Sequence, residues 1–223
     1  VVGLRYDSCV SGVPLGDLFT LKEQVYEKCV DIEGELIIKE YPTKSASTRT
    51  LTTHLEKLKN RGISPDLIIV DYGDILRPSS SFREKRNELE SIYEELRSIA
   101  QNYECPVWTA SQTNRSGLNA EVITMESISE AFNKCFIADF ICSISRTVED
   151  KNSNTGRMFI AKNRNGPDGL IYNLNMDPGS VKIEVLQQSS ETVGEIKANS
   201  LKNQADALKE KYKKFKQSEN GVV

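Results

Sequence analysis

Four stretches of this chain are apolar at consecutive positions rather than at every second one, and that limits the folds open to it. They are Leu36-Ile37-Ile38, Leu67-Ile68-Ile69-Val70, Pro106-Val107-Trp108-Thr109-Ala110 and Ala138-Asp139-Phe140-Ile141-Cys142-Ser143-Ile144. A strand with one wet face alternates apolar and polar residues. An unbroken apolar run implies burial on both faces, as in a parallel sheet covered by helices. Helical periodicity fills the gaps between the runs. Residues 49–60 place Leu51, Leu55 and Leu58 on one face, with Ser47 or Thr48 to cap the start and Gly62 to end it. Leu89, Ile92, Tyr93, Leu96, Ile99 and Ala100 follow the i, i+3, i+4, i+7 pattern, with Glu90, Glu94, Glu95 and Arg97 on the outer face. A weaker helical pattern runs from Met125 to Phe136. The βαβαβ order predicts an α/β fold with right-handed crossovers.

Beyond Ile144 the pattern changes. Arg157–Ala161 and Leu170–Met176 flank a polar turn, Lys162-Asn163-Arg164-Asn165-Gly166-Pro167-Asp168-Gly169, which predicts a β-hairpin with a long tip. Val181–Leu186 is expected to add a strand. Residues 187–200 read as a polar linker. Residues 201–217 read as a helix in which Leu201, Ala205, Leu208, Tyr212 and Phe215 share a face; a solvated terminal helix is preferred over one that docks on a neighbouring subunit. The expected division is 1–186 as one domain and 187–223 as linker and tail.

Composition narrows the function. With 29 Lys+Arg against 32 Asp+Glu, the net charge of -3 excludes a broadly basic nucleic-acid coat but permits a local basic channel. No segment is long and apolar enough to span a membrane. The five cysteines contain no CxxC pair and there is a single His54, so a zinc site and a histidine-based triad are disfavoured and buried reduced thiols are expected.

Three constellations can carry chemistry. Asp71 ends a buried run, where a carboxylate can hold Mg²⁺ on nucleotide phosphates or simply cap the next turn. Gln112, after Ser111 at the end of the next run, can bond both a γ-phosphate and a mobile loop, or be an ordinary loop amide. Lys162 and Arg164 sit two apart on a strand and so point the same way. Two cations on one face suit a polyphosphate, or are merely solvated.

Taken together, DLIIVDYGDIL, a helix, PVWTASQTNR, IADFICSI and MFIAKNRNGPDG resemble, in order and spacing, the DnaB-type replicative helicase family, and its phage branch in particular. The stretches Leu4-Arg5 through Ser11-Gly12 and Ile37 to Thr43 also fit, so the resemblance covers residues 1–186. It implies a RecA-like ATPase core, mostly parallel, with a C-terminal hairpin. It implies that Asp71 is the Walker B aspartate on Mg²⁺, that Gln112 couples nucleotide state to a DNA loop, and that Lys162 and Arg164 reach the ATP of an adjacent subunit, Arg164 as arginine finger. It places a loop facing single-stranded DNA between Asn114 and Lys134, with Asn114, Arg115, Glu130 and Lys134 as candidate contacts. Ser129 and Phe132 depart from the family's pattern in this loop. Arg77, Arg83, Lys85 and Arg86 are further candidates for phosphate or subunit contacts. A homo-oligomeric ring, expected to be a hexamer, is implied, with primase and a helicase loader as candidate partners and the cytoplasm of a bacterium or phage-infected cell as the location.

The resemblance also calls for a phosphate loop, a catalytic glutamate soon after it and an amino-terminal primase-interacting domain, and none of these is expected in this sequence. No glycine is followed by lysine, so there is no G-x-x-x-x-G-K-[ST] phosphate loop. The resemblance therefore implies the C-terminal portion of an ATPase domain, inactive alone. Two other classes remain open: another RecA-like ATPase of the recombinase kind, and a non-catalytic module that docks on a helicase ring.

Overall fold

The computed structural model describes residues 1–80, 83–114, 120–127, 133–199 and, in the tail, residues 201, 202, 205 and 209. The chain is α/β, as expected. Its strands form two sheets instead of one. A short parallel pair joins β1 (Ile68–Val70) to β2 (Val107–Thr109), with Ile68 opposite Val107 and Val70 opposite Thr109. A four-stranded antiparallel sheet runs in order β3 (Phe140–Ser145), β4 (Thr155–Asn163), β5 (Ile171–Asp177) and β6 (Lys182–Gln188). Among the described strands, parallel pairing is confined to β1 and β2. The Trp108 and Phe140 rings, 5.7 Å apart, touch where the two sheets meet.

The helices follow their sequence signals closely. α3 (Thr48–Lys59) begins with a capping box: Ser47 accepts from the Thr50 backbone N–H, and the Thr50 side chain accepts in return from Ser47. Gly62, at φ 79, closes the turn after it in the left-handed region that glycine adopts at little cost. α4 (Lys85–Asn102) buries Leu89, Ile92, Tyr93, Leu96 and Ile99, the residues its periodicity picks out. Ile92, Tyr93, Leu96 and Ile99 form the first core with Leu55 and Val70, and Leu51, Ile68 and Val107 pack onto it. Two N-terminal helices, α1 (Val2–Ser11) and α2 (Lys22–Cys29), pack on one another. The Leu15 N–H donates to Gly179 O, tying this region to the β5–β6 turn.

Four expectations are corrected. Leu36-Ile37-Ile38 is not a strand: it is irregular and exposed, because among the described residues no strand pairs with it. The β1 run is not buried on both faces. Val70 is inside, but Leu67 and Ile69 are 48% and 69% exposed, since α3 and α4 cover one side only. The helix expected over Met125–Phe136 is a 3₁₀ turn (Met125–Ser127) followed by a five-residue helix, α5 (Asn133–Ile137), with the residues between them outside the described set. Of the five cysteines, only Cys105 and Cys135 are buried, and Cys9 is exposed.

The polar stretch 187–200 is partly folded. Its first two residues finish β6, and a helix starts at residue 193 behind Thr192, whose side chain pairs with Glu195. Ile196, at 2% exposure, enters a second core with Val122, Phe159, Ala161 and Ile171. Of the proposed tail face, Leu201 and Ala205 are helical and exposed; Leu208, Tyr212 and Phe215 lie outside the described residues.

Candidate active site

Asp71 follows the last residue of β1 and Gln112 lies just past the end of β2, so parallel pairing brings both to one edge of the sheet. Gln112 Nε2 donates to Tyr72 Oη at 2.9 Å, which joins the two strand ends directly. Thr109 fixes the turn between them. Its Oγ1 donates to Val70 O (2.9 Å) and accepts from the Gly73 N–H (2.7 Å). A Cβ at Gly73 would sit 3.2 Å from that oxygen and 3.3 Å from the Tyr93 ring, so a larger residue fits only if these neighbours give by a few tenths of an ångström. Asp71 itself is exposed, and no hydrogen bond or ion pair engages its carboxylate among the described residues.

Behind this edge lies a buried polar cluster. Lys134 Nζ bonds Asp74 Oδ1 at 2.8 Å and Ser111 Oγ at 3.0 Å, and lies 5.2 Å from the centre of the Tyr93 ring. Tyr93 Oη donates to Asp74 Oδ1 (2.8 Å) and Ser111 Oγ to Asp74 Oδ2 (3.0 Å). Burial, and then the Asp74 charge, push the Tyr93 phenol well above its ordinary value, so it remains a donor. Ser111 is the neighbour of Gln112 and Asp74 follows Asp71 by three residues, so the cluster braces both strand ends.

Lys162 and Arg164 do share a side of β4, as alternation predicts. Lys162 Nζ bonds the carbonyl of Cys135 at 2.6 Å, and Arg164 Nη2 that of Phe136 at 2.7 Å. Both cations therefore sit on the free carbonyls at the C-terminus of α5, where positive charge is favoured. Burial lowers the Lys162 ammonium below its usual range and the adjacent Arg164 lowers it further, against the opposing pull of Asp139. Asp139 pairs with both Arg164 and Arg97, and Arg97 also donates to Ile137 O.

α5 is thus the hub of the site. Asn133 bonds Arg86 and Glu90 of α4, Lys134 bonds Asp74 and Ser111, and the last carbonyls receive Lys162, Arg164 and Arg97. Five residues connect the Asp71–Gln112 edge to the hairpin cations.

The expected DNA-loop residues divide. Asn114 closes the base of its loop by donating its N–H to Ser127 O at 2.8 Å. Arg115, Glu130, Ser129 and Phe132 lie outside the described residues. Lys134 departs from the expectation of a solvent-facing loop cation: its side chain is 4% exposed and is paired with the half-buried Asp74 carboxylate. Sequence reasoning misses Asp74, Tyr93, Arg97 and Asp139 as parts of the site. Asp74 and Asp139 stand inside the quoted motifs, which is a usable signal, whereas periodicity assigns Tyr93 and Arg97 to the core and to the solvent face of α4. Among the described residues no group of three metal-ligating side chains exists.

The family model for the DnaB-like helicase C-terminal domain matches residues 20–184, well over half of the chain. The chain belongs to this family. A DnaB-like replicative helicase of Enterobacteria phage T4 is 32% identical over 120 residues, 52% of this chain and 25% of that protein. The chain therefore spans about a quarter of that relative's length. Among solved structures, an ATPase domain superposes with a TM-score of 0.70 at 16% identity, covering 82% of this chain and 69% of that one. A DnaB-like replicative helicase described together with its interactions with primase gives 0.68 at 16% identity, over 82% of this chain and 48% of that one. At such identities the structures show the fold alone: a RecA-like helicase ATPase domain. Both the parallel edge carrying Asp71 and Gln112 and the hairpin carrying Lys162 and Arg164 fall within the family match.

Proposed function

We propose that this family member is the C-terminal part of an ATP-dependent replicative DNA helicase that translocates on single-stranded DNA as a ring, in the cytoplasm of a bacterium or phage-infected cell. The observation that carries the reading is the Gln112–Tyr72 hydrogen bond beside an unengaged Asp71 carboxylate. A lone exposed carboxylate at a strand end fits Mg²⁺, which is commonly held by one or two carboxylates together with nucleotide phosphates and water. The ion would neutralise charge on the phosphates. Asp71 would orient it, and Gln112 would register the change at the strand edge through Tyr72. The phosphate loop must be supplied in addition to these 223 residues.

Lys162 and Arg164 are the cations offered to the nucleotide of an adjacent subunit, and their hold on α5 gives them a path to the Asp71 edge through Lys134. A hexameric ring, primase and a loader are the partners this reading carries. The domain proposal keeps residues 1–186 as the ATPase portion, with 187–223 appended.

The test joins the chain to a phosphate-loop segment of the same family and measures DNA-stimulated ATP hydrolysis. Asp71→Ala and Arg164→Ala should each abolish it. Rings mixed from the two variants should regain part of it, because some interfaces then pair an intact Asp71 with an intact Arg164. Full activity in Asp71→Ala rings overturns the metal assignment, and no recovery in mixed rings overturns action in trans.

A further inference from the structure

A cleft of about 710 Å³ opens on the side of α3 away from the first core. Three parts of the chain build it: residues 39–41, the outer face of α3, and Arg77. Arg77 is held beside the start of α3 by its N–H bond to Ala46 O at 2.8 Å and by a parallel bridge to Ser47. The cleft is lined by Lys39, Arg49, Lys57, Arg61 and Arg77, and no carboxylate lines it. All five cations are exposed, and none makes an ion pair among the described residues. In a chain of net charge -3, such a one-signed concentration of unpaired charge is a local positive field.

We propose that this cleft binds the phosphate backbone of single-stranded DNA. Its cations form a row and do not converge on a point. Arg49 and Lys57 stand two turns apart on one helix face, roughly 12 Å along the axis, and Arg61 extends the row past the helix end. A row of that length meets more than one phosphate of an extended strand and exceeds the needs of one isolated phosphate. Tyr41, half-buried in the same cleft, has the Lys39 ammonium 5.6 Å from its ring centre. That ammonium covers one face of the ring; an aromatic ring set among cations is still the pairing on which unstacked bases rest, and an acidic peptide has no use for it. Its lining includes none of Asp71, Gln112, Lys162, Arg164 or the described residues of the 114–134 loop. Arg77 lies on the segment that follows β1, six residues after Asp71.

The experiment measures binding of fluorescein-labelled oligothymidylate to the full chain by anisotropy, without ATP, between 50 and 200 mM salt. It is therefore independent of hydrolysis and of the helicase reading. The triple variant Arg49→Ala/Lys57→Ala/Arg61→Ala should bind at least tenfold more weakly at 50 mM. Its slope of log K against log salt should flatten by about 2, the effect of three lost phosphate contacts. Tyr41→Ala should weaken binding at least fivefold with the slope unchanged, and Tyr41→Phe should restore it. Circular dichroism melting checks the fold, and if the triple variant melts early, the single Lys57→Glu is read in the same way. Three results overturn the proposal: no binding of the oligonucleotide by the native chain, variants with native affinity and slope, or displacement by polyglutamate at equal charge together with a silent Tyr41→Ala. The last result assigns the cleft to an acidic peptide.

Discussion

The two sheets of this chain are built from similar apolar runs but are finished differently. β4 is buried on both faces at its centre, with Phe159 and Ala161 in the core closed by Ile196, and Ile160 between them also inside. β1 has the same kind of sequence, yet Ile69 stands 69% exposed and Trp108 of its partner strand 49%. Consecutive apolar residues report a strand meant to be covered twice, but they do not report what does the covering. In the antiparallel sheet the cover comes from the described residues. In the parallel pair α3 and α4 supply one face, and the rigidity that two packed faces would give is replaced by the buried cluster around Asp74.

The strongest way to break this comparison is to remove the cluster's charge. Lys134→Met leaves the half-buried Asp74 without its cation, which should cost about 3 kcal/mol, the low end for a buried pair. Adding Asp74→Leu should recover much of that loss, because a paired apolar replacement leaves no stranded charge. Urea unfolding followed by the single Trp108 reads this region directly. An equal loss in the single and double variants would show that packing, not charge, holds the edge.

Next come the two cores themselves. Ile171→Ala and Ile92→Ala remove side chains that are 2% and 1% exposed, and each should cost about 2–5 kcal/mol. The comparison is sharpened by where the loss is felt. Hydrogen exchange should rise in β4–β5 for the first variant and in α4 and β1 for the second. Exchange that rises everywhere in both would mean that the two sheets unfold as one unit.

pH should separate the regions by sign. Tyr93, in the parallel region, has a raised phenol, so its contribution is complete below the unfolded value near 10 and fades as pH climbs beyond it. Asp150 caps α6 (Val148–Ser153) beside the antiparallel sheet. Burial alone would raise its carboxyl, but hydrogen bonds from Thr147 and the Arg157 charge hold it below the usual range. Its contribution is present above the unfolded value of about 4 and fades as pH falls through the folded one. Tyr93→Phe should therefore flatten the alkaline limb of a stability profile, and Asp150→Asn the acid limb. A crossed result would reverse the assignment of the two limbs.

What is legible in the sequence follows the range of the interactions. α3, α4 and the hairpin are readable because capping, helical period and turn chemistry are local. The motif residues Asp71, Gln112, Lys162 and Arg164 stand out for the same reason, and pairing of β1 with β2 sets the first two at one edge. The role of α5 is not readable. Its contacts reach from Lys134 back 60 residues to Asp74 and forward from Cys135 by 27 to Lys162, and no local pattern encodes them. Lys134 reads as a ligand-facing cation because a lysine in a polar loop is usually wet; only the facing Asp74 makes its burial tolerable. Leu36–Ile38 misleads in the opposite direction, since strand propensity without a paired neighbour leaves an exposed coil.

The smallest expected effect tests the open face itself. Ile69 is apolar, lies mid-strand and is mostly in water, so Ile69→Ser removes little buried area and should change stability by no more than about 0.5 kcal/mol. The same change at Ile171, 2% exposed, would strand a hydroxyl in the second core and cost several times more. The pair is best measured by urea unfolding at two protein concentrations. A cost above about 1.5 kcal/mol at Ile69 that grows with concentration would mean that another copy of the chain covers the face in solution. Exposed apolar surface of this kind is stable in water only when isolated or partnered. If the cost stays small at both concentrations, the chain holds β1 from one side, with Thr109 and the Asp74 cluster making up for the missing layer.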